Sequence, residues 1–434
     1  MSVLVALALV VLLGAAGLAI DAGLGYMSKA RLDAAADGAA VAAGQAVTRG
    51  NDEATQTTNA KNAAKAFFAA NYPAGFLNST ATLADPSITF DKGTVTIDIA
   101  AQAQVPVTLM KVLGFNVLNV STTAQSVRRD LDMAVIIDTT GSMAVDPKVP
   151  PAVQSAAITF LQQFDPITDR VALLHFAYGT VVDAPFNGDN RGFNRTAMNK
   201  AINNYTFSGS TNSSEAYWNA LSQLKDTIKT PSSLRVIVFF SDGAPNSFAS
   251  IFNTNSSSCN TTAGTVTSGD SPNTPAALYR IDAVSQKMGS PCYDNSASNV
   301  IKQMPTFYNA HKTSWLDDKT IPVQTNTPRV VGKTVNYTNV NNAARNVAEA
   351  LANYARSQNI YVYTIGRGSE LLTPQGANNE IGEDVLKCMA NTTDSLSRCY
   401  NPAQPVGVYC RALTTADLTP CFSKLASEIL RISK

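Results

Sequence analysis

The sequence predicts an α/β protein: a doubly wound, mostly parallel sheet in the larger C-terminal part, preceded by an N-terminal membrane helix and a small α+β module. Three observations carry this. From Leu131 onward, apolar runs such as Met133–Ile137 and Val236–Phe240 alternate with amphipathic stretches of helical period. That is the pattern of strands buried on both faces and covered by helices. Residues Ser2 to Ile20 form a run without charge, near the ~20 residues that a membrane-spanning helix needs. Between these regions the period becomes two, with Val95, Ile97 and Ile99 alternating with Thr94, Thr96 and Asp98, as in a half-buried strand.

The totals narrow the function. A chain of 434 residues implies two or three domains, and 45% hydrophobic residues suffice for real cores. Lys+Arg 33 balances Asp+Glu 32, so no broad basic field points to nucleic acid. The two histidines, His175 and His311, nearly exclude His-based zinc sites, and a Ser-His-Asp triad would have to use one of them. His175 lies in the apolar run Val171–Phe176 and reads as a satisfied core histidine. The six cysteines all follow residue 258 without a CxxC pair, which removes the zinc-ribbon and thioredoxin readings. In an exported chain their even number points to disulfides, with Cys259–Cys292 as one candidate pair.

Taking the chain in order, helix formers run without proline from residue 3 to about 47, a helix of about 65 Å at ~1.5 Å per residue. The absence of a basic n-region and the length of the apolar run argue against a cleaved signal peptide. One face is small: Gly14, Gly17, Ala22, Gly25, Ala36, Ala39, Ala40 and Ala43. It reads either as a plain anchor with an alanine-rich stalk or as a helix that docks beside similar helices. Lys29 and Arg31 follow the span, and the positive-inside rule alone would put them in the cytoplasm. The cysteines and the Asn/Ser/Thr-rich loops argue the other way and place the main body outside, on a single-pass anchor. A helix over 54–71, a turn at Asp91-Lys92-Gly93 and a strand between Val117 and Val127 complete the module. The expected domains are 1–48, 49–129 and 130–434.

Within 130–434, strands are expected at 132–137, 170–177, 180–184, 234–240, 360–365 and 406–411. Helices are expected at 150–164, 194–203, 213–229, 340–356, 379–389 and 415–432. Residues 245–338, rich in Ser, Asn, Thr and Pro, exceed what one crossover needs and are expected to form a lobe of their own. That lobe leaves the sheet just after Asp242 and is expected to govern access to the face there.

Ligands of such sheets bind at the carboxyl ends of the strands, where Asp138 and Asp242 fall. Asp138, Thr140 and Ser142, at i, i+2 and i+4, can turn oxygens to one point, with Gly141 permitting the bend. Thr211 and Asp242 would add oxygens from neighbouring loops. Such a set suits a hard divalent cation, Mg²⁺ first, with Mn²⁺ or Ca²⁺ as alternatives. Two carboxylates leave the ion roughly neutralised, so a protein partner's acidic side chain could replace a water as its last ligand. Binding, with no catalysis, is the expected outcome.

These five positions resemble the metal-ion-dependent adhesion site of von Willebrand factor type A domains, whose pattern is Asp-x-Ser-x-Ser, then Thr, then Asp. The resemblance covers about 130–432. Thr140 departs from it by replacing the first Ser, keeping the hydroxyl and adding a methyl. Asp138-Thr-Thr-Gly-Ser142 also looks like the phosphorylated-aspartate loop of P-type ATPases, but Thr139 stands where that loop has Lys. No Asp follows two residues after Asp138, and no Gly-rich phosphate loop is evident. At the N-terminus, Gly17–Tyr26 with Lys29, Arg31-Leu32 and Ala34-Ala-Ala-Asp37 resembles the TadE/TadG-like segment of tight-adherence (Flp) pilus-assembly proteins, which commonly carry a C-terminal von Willebrand type A domain. The resemblance implies a bacterial envelope protein anchored in the inner membrane, with its main body periplasmic or extracellular, that acts in pilus assembly or surface attachment and meets other pilus or envelope proteins through its N-terminal helix. A general surface adhesin and a fibre-forming, pilin-like subunit are the alternatives.

Overall fold

The computed structural model describes residues 2–47, 53–91, 94–188, 190–229, 231–259, 262–269 and 272–433. The chain forms two compact units, residues 1–130 and 131–433.

The first unit comprises α1 (Ser2–Ala46), α2 (Glu53–Asn71) and strands β1 (Thr80–Leu83), β2 (Ser87–Asp91), β3 (Thr94–Pro106) and β4 (Val117–Arg129). The strands make one antiparallel sheet, with β3 paired to β1, β2 and β4. Lys92 and Gly93 of the expected turn lie outside the described residues. The alternation along β3 sends Val95, Ile97, Ile99, Ala101 and Ala103 inward, against Ala35, Ala36, Ala39, Ala40 and Ala43 of α1 and Ala60, Ala64 and Phe68 of α2. Alanines allow two helices and a sheet to approach closely without losing rotamer freedom. This narrows the reading of the small face as a surface for other helices, because its C-terminal half, Ala36, Ala39, Ala40 and Ala43, is covered by the chain's own α2 and sheet.

The N-terminal half of α1 differs. Leu4, Val5, Leu9, Val11, Leu12, Leu18 and Ile20 are exposed. Among the described residues no helix is long and apolar enough to cross a membrane. Several side chains of the first thirteen residues, within the expected span Ser2–Ile20, lie outside the described set.

The second unit runs β5 (Leu131–Asp138), α3 (Val149–Leu161), β6 (Arg170–Phe176), β7 (Thr180–Ala184), α4 (Arg195–Asn203), α5 (Ser213–Ser222), β8 (Leu234–Ser241), β9 (Ser247–Phe252), β10 (Thr262–Thr267), β11 (Ala276–Tyr279), α6 (Ala297–Val300), α7 (Tyr337–Ser357), β12 (Tyr361–Arg367), β13 (Pro374–Gln375), β14 (Glu380–Ile381), α8 (Gly382–Ala390), β15 (Tyr409–Ala412) and α9 (Leu418–Ser433). Six strands form the main sheet in the order β15-β12-β8-β5-β6-β7. All neighbours are parallel except β6 and β7. Strand β5 is buried along its whole length. Met133, Val135 and Ile137 face a core built with α3, α4 and α9. Ala134 and Ile136 face the other core, built with α5, α7 and α8. Helices thus cover both faces of the sheet.

The differences from expectation have local causes. Helix α5 ends at Ser222 and continues as one π turn, Gln223–Thr227. Helix α8 starts at Gly382 because Glu380–Ile381 pairs with Pro374–Gln375. Residues 245–338 are not a separate lobe. They form a three-stranded sheet, β11-β10-β9, but Phe248, Phe252, Val266, Leu278, Met304 and Val323 join the core shared by α5 and α7. The insertion therefore packs its apolar side chains on α5 and α7 and has no separate core among the described residues. The six cysteines pair as Cys259–Cys292, Cys388–Cys399 and Cys410–Cys421.

Candidate metal centre

Two aspartates mark the ends of β5, and both are fully buried. At the start, Asp132 meets Arg170, whose Nε and Nη2 donate to Oδ1 and Oδ2 at 2.7 and 3.2 Å. Arg191 Nη1 adds a bond to Oδ1 at 3.1 Å, and the backbone N–H of Ser232 donates to Oδ2 at 2.6 Å. This carboxylate is neutralised within the fold.

Asp138, at the carboxyl end, is held by neutral donors. The N–H of Thr140 donates to Oδ1 at 2.8 Å, and Ser241 Oγ donates to Oδ2 at 2.6 Å. Burial pushes its carboxyl up to about 6, against the downward pull of those hydrogen bonds. A buried carboxylate that depends on neutral donors is costly as an anion, and a bound cation relieves that cost.

Around it the hydroxyls converge. Thr140 Oγ1 and Ser142 Oγ are 3.0 Å apart, and Ser142 Oγ donates to Asp242 Oδ1 at 2.8 Å. Asp138, Thr140, Ser142 and Asp242 therefore belong to one short hydrogen-bonded chain joining the loops after β5 and β8. Thr211 stands outside that chain among the described residues, on the loop that precedes α5. That loop is tied to the first by Gly141 N–H donating to Gly209 O at 3.0 Å and Ser208 N–H donating to Thr139 O at 2.8 Å. The bend expected at Gly141 does not require glycine: its φ is not in the left-handed region, and a Cβ there would meet Gly209 O at 3.4 Å, an ordinary contact distance. The conformational glycine is Gly209, at φ +96°, where a Cβ would lie 2.9 Å from the Tyr178 ring.

Sequence reasoning missed two residues. Ser241, next to Asp242 at the end of β8, turns its hydroxyl to Asp138. Asn246 carried no signal. Its Oδ1 accepts the N–H of Thr211 at 2.8 Å, and its own N–H donates to Thr211 O at 3.2 Å. Asn246 O in turn accepts from the N–H and Oγ of Ser268, both at 2.9 Å. The start of the insertion thus braces the Thr211 loop.

The donor set, two carboxylates and hydroxyl oxygens without soft ligands, fits a hard divalent ion. The other clustered group, Glu349 with Cys388 and Cys399, does not, because both sulfurs are spent in a disulfide. The histidines have partners of their own. His175 Nδ1 pairs with Asp183 Oδ2 at 2.8 Å, and His311 Nε2 with Glu215 Oε1 at 2.5 Å.

A mostly parallel sheet with hydroxyl and carboxylate loops at its carboxyl end is the architecture of a von Willebrand type A domain. Residues 132–304 match the family model of the von Willebrand factor type A domain, and residues 1–46 match that of the putative Flp pilus-assembly TadE/G-like family. The chain therefore combines these two segments. No curated protein matches it. Among solved structures, the chain is similar to the vWF domain of the type V pili tip protein Mfa5 from Porphyromonas gingivalis, at 12% identity and TM-score 0.42, covering 71% of this chain and 98% of that one. It is similar to the PilB minor pilin from Streptococcus sanguinis, at 13% identity and TM-score 0.40, covering 82% and 80%. A third is the pilus adhesin SpaC from Lactobacillus rhamnosus GG, at 11% identity and TM-score 0.41, covering 81% of this chain and 34% of that one.

Proposed function

We propose that this chain is a membrane-anchored, metal-dependent protein-binding component of tight-adherence pilus assembly or bacterial surface attachment, and that it is not an enzyme. The observation that carries the binding role is the convergence of Asp138, Thr140, Ser142 and Asp242 at the carboxyl end of the sheet, with Asp138 buried among neutral donors. Together with Thr211 they would hold Mg²⁺, with Mn²⁺ or Ca²⁺ as substitutes. A bound ion supplies a Lewis-acidic position for a carboxylate of a partner protein. The chain's own oxygens fix where that position lies.

The TadE/G-like match over residues 1–46 supports a place in the pilus apparatus. The charge-free run Ser2–Ile20 and its exposed leucines and valines support an inner-membrane anchor. Three disulfides support a main body outside the cytoplasm, periplasmic or extracellular. Residues 1–48, 49–129 and 130–434 are read as anchor, module and binding domain.

The test is co-purification of the full chain with envelope and pilus proteins in Mg²⁺ and in chelator, with titration calorimetry of Mg²⁺ alongside. Partners retained in Mg²⁺, released by chelator and lost in Asp242→Ala are the expected result. Equal recovery in both conditions with no heat of Mg²⁺ binding would remove the metal from the reading.

A further inference from the structure

We propose that the end of the β3–β4 hairpin, the turn with the first two residues of β4 (107–118), is a second membrane contact whose tip sits in the interfacial layer of the lipid bilayer beside α1. This rests on the reading of α1 as the anchor.

The sequence of the turn is the first argument. Val107-Thr-Leu-Met-Lys-Val-Leu-Gly-Phe-Asn-Val-Leu118 contains eight apolar residues, no acid and a single base. Connections between strands run over the surface and are ordinarily polar. Here Leu109 is 44% exposed, Phe115 53% and Val117 39%. The turn is closed by its own backbone, with Phe115 N–H donating to Met110 O at 3.2 Å and Gly114 N–H donating to Lys111 O at 3.0 Å. Leu109, Phe115 and Val117 are thus carried on a hydrogen-bonded tip.

Its place along α1 is the second argument. Asp21 accepts the backbone N–H groups of Thr108, Leu109 and Met110 at 3.0, 2.9 and 2.7 Å. Three bonds from one carboxylate fix the tip against the helix at one height. The contact continues at Gly17, where a Cβ would lie 2.6 Å from Leu109 Cβ. Asp21 is the first charged side chain of α1, and Gly17 is about one helical turn, roughly 6 Å, further into the apolar run. The tip therefore stands level with the end of that run.

Lipid is the occupant that this geometry favours. Leu18 and Ile20, exposed at 49% and 54% on α1, lie at the same height as Leu109, so one apolar band spans helix and turn. Side chains of interfacial elements reach about 5–10 Å into the headgroup and acyl boundary, the depth of one helical turn. Lys111, exposed on the tip, can extend its ammonium to lipid phosphates while its stem lies along apolar surface. The tip then resists tilting and rotation of α1, which a lone helix leaves free.

The test uses the full chain in liposomes of phosphatidylethanolamine and phosphatidylglycerol. Trp218→Phe and Trp315→Phe remove the native tryptophans, and single reporters are added as Phe115→Trp, Leu12→Trp or Thr89→Trp. Emission is read with nitroxide lipids labelled at the headgroup, upper acyl chain or chain end. The expected result is blue-shifted Phe115→Trp emission that loses most of its intensity to upper-chain nitroxide and little to chain-end nitroxide, while Thr89→Trp stays unquenched. Red, unquenched Phe115→Trp emission beside a quenched Leu12→Trp would overturn the turn contact and leave the anchor standing. Blue but unquenched Phe115→Trp emission would overturn it in favour of a second copy of the chain covering the tip. Unquenched Leu12→Trp would overturn the anchor itself, and the turn contact with it.

Discussion

Replacing Asp138 by Asn in metal-free protein is expected to leave stability at neutral pH unchanged or slightly higher, although the residue is fully buried. The carboxyl is raised from 3.8 to about 6 by burial, about 2 units, or about 3 kcal/mol of penalty on the anion. The Asn variant escapes that penalty. It also weakens the Ser241 bond and turns an NH₂ toward one of the two donors, at a cost of about 1–3 kcal/mol. The sign with pH follows from the raised value. Its favourable share is fully present below the unfolded pKa and is lost as pH rises through about 6, so wild type should fall relative to the variant by about 3 kcal/mol across that window. Mg²⁺ reverses the order. At a hundredfold excess over its Kd it stabilises wild type by about 2.7 kcal/mol. The gain should shrink as pH falls below about 6 and be largely absent in Asp138→Asn. Urea unfolding followed by circular dichroism, with Mg²⁺ or chelator across this pH range, reads all four conditions. An equal Mg²⁺ shift in both proteins, or a gap between them that ignores pH, would refute the reasoning.

Three further outcomes are expected. Asn246→Ala should lower Mg²⁺ affinity on the order of 10-fold in calorimetry, as loss of a supporting partner does, because it removes the Oδ1 that accepts the N–H of Thr211. Arg170→Met should destabilise the fold by about 3 kcal/mol or more by leaving Asp132 buried with a weakened partner set. Its Mg²⁺ affinity should stay at the wild-type value, since Asp132 lies at the far end of β5. Cys259→Ser with Cys292→Ser opens a loop of sequence separation 33 and should cost about 4 kcal/mol in equilibrium unfolding. An unchanged midpoint would show that the core shared with α5 and α7 alone holds the insertion.

Much of the sheet was legible because its signals are local. Apolar runs such as Met133–Ile137 had to become strands buried on both faces, and Tyr361–Arg367 follows the same rule. Helix ends were less legible. Asn212 and Asn336 cap α5 and α7 through side-chain bonds, but the start of α8 depends on β13 and β14, a pairing set by neighbours in space. The small face of α1 shows the same limit. Its spacing suits a partner helix as well as it suits α2 and β3, and only the folded unit shows that its C-terminal half is filled from within.

At the candidate site, the residue types and their order after β5 and β8 were set by sequence alone. A carboxylate with hydroxyls two and four residues on, placed after an apolar strand, can be read without coordinates. Only tertiary structure decided what surrounds them. It neutralised Asp132 with arginines and left Asp138 to neutral donors, although the two are six residues apart on one strand. It put the left-handed conformation at Gly209 rather than at Gly141, and it set Asn246 behind Thr211. The physical reason is that strand and helix periods arise from neighbours a few residues away, whereas burial and charge pairing depend on groups far apart in the chain, such as Ser241 for Asp138 and Asn246 for Thr211.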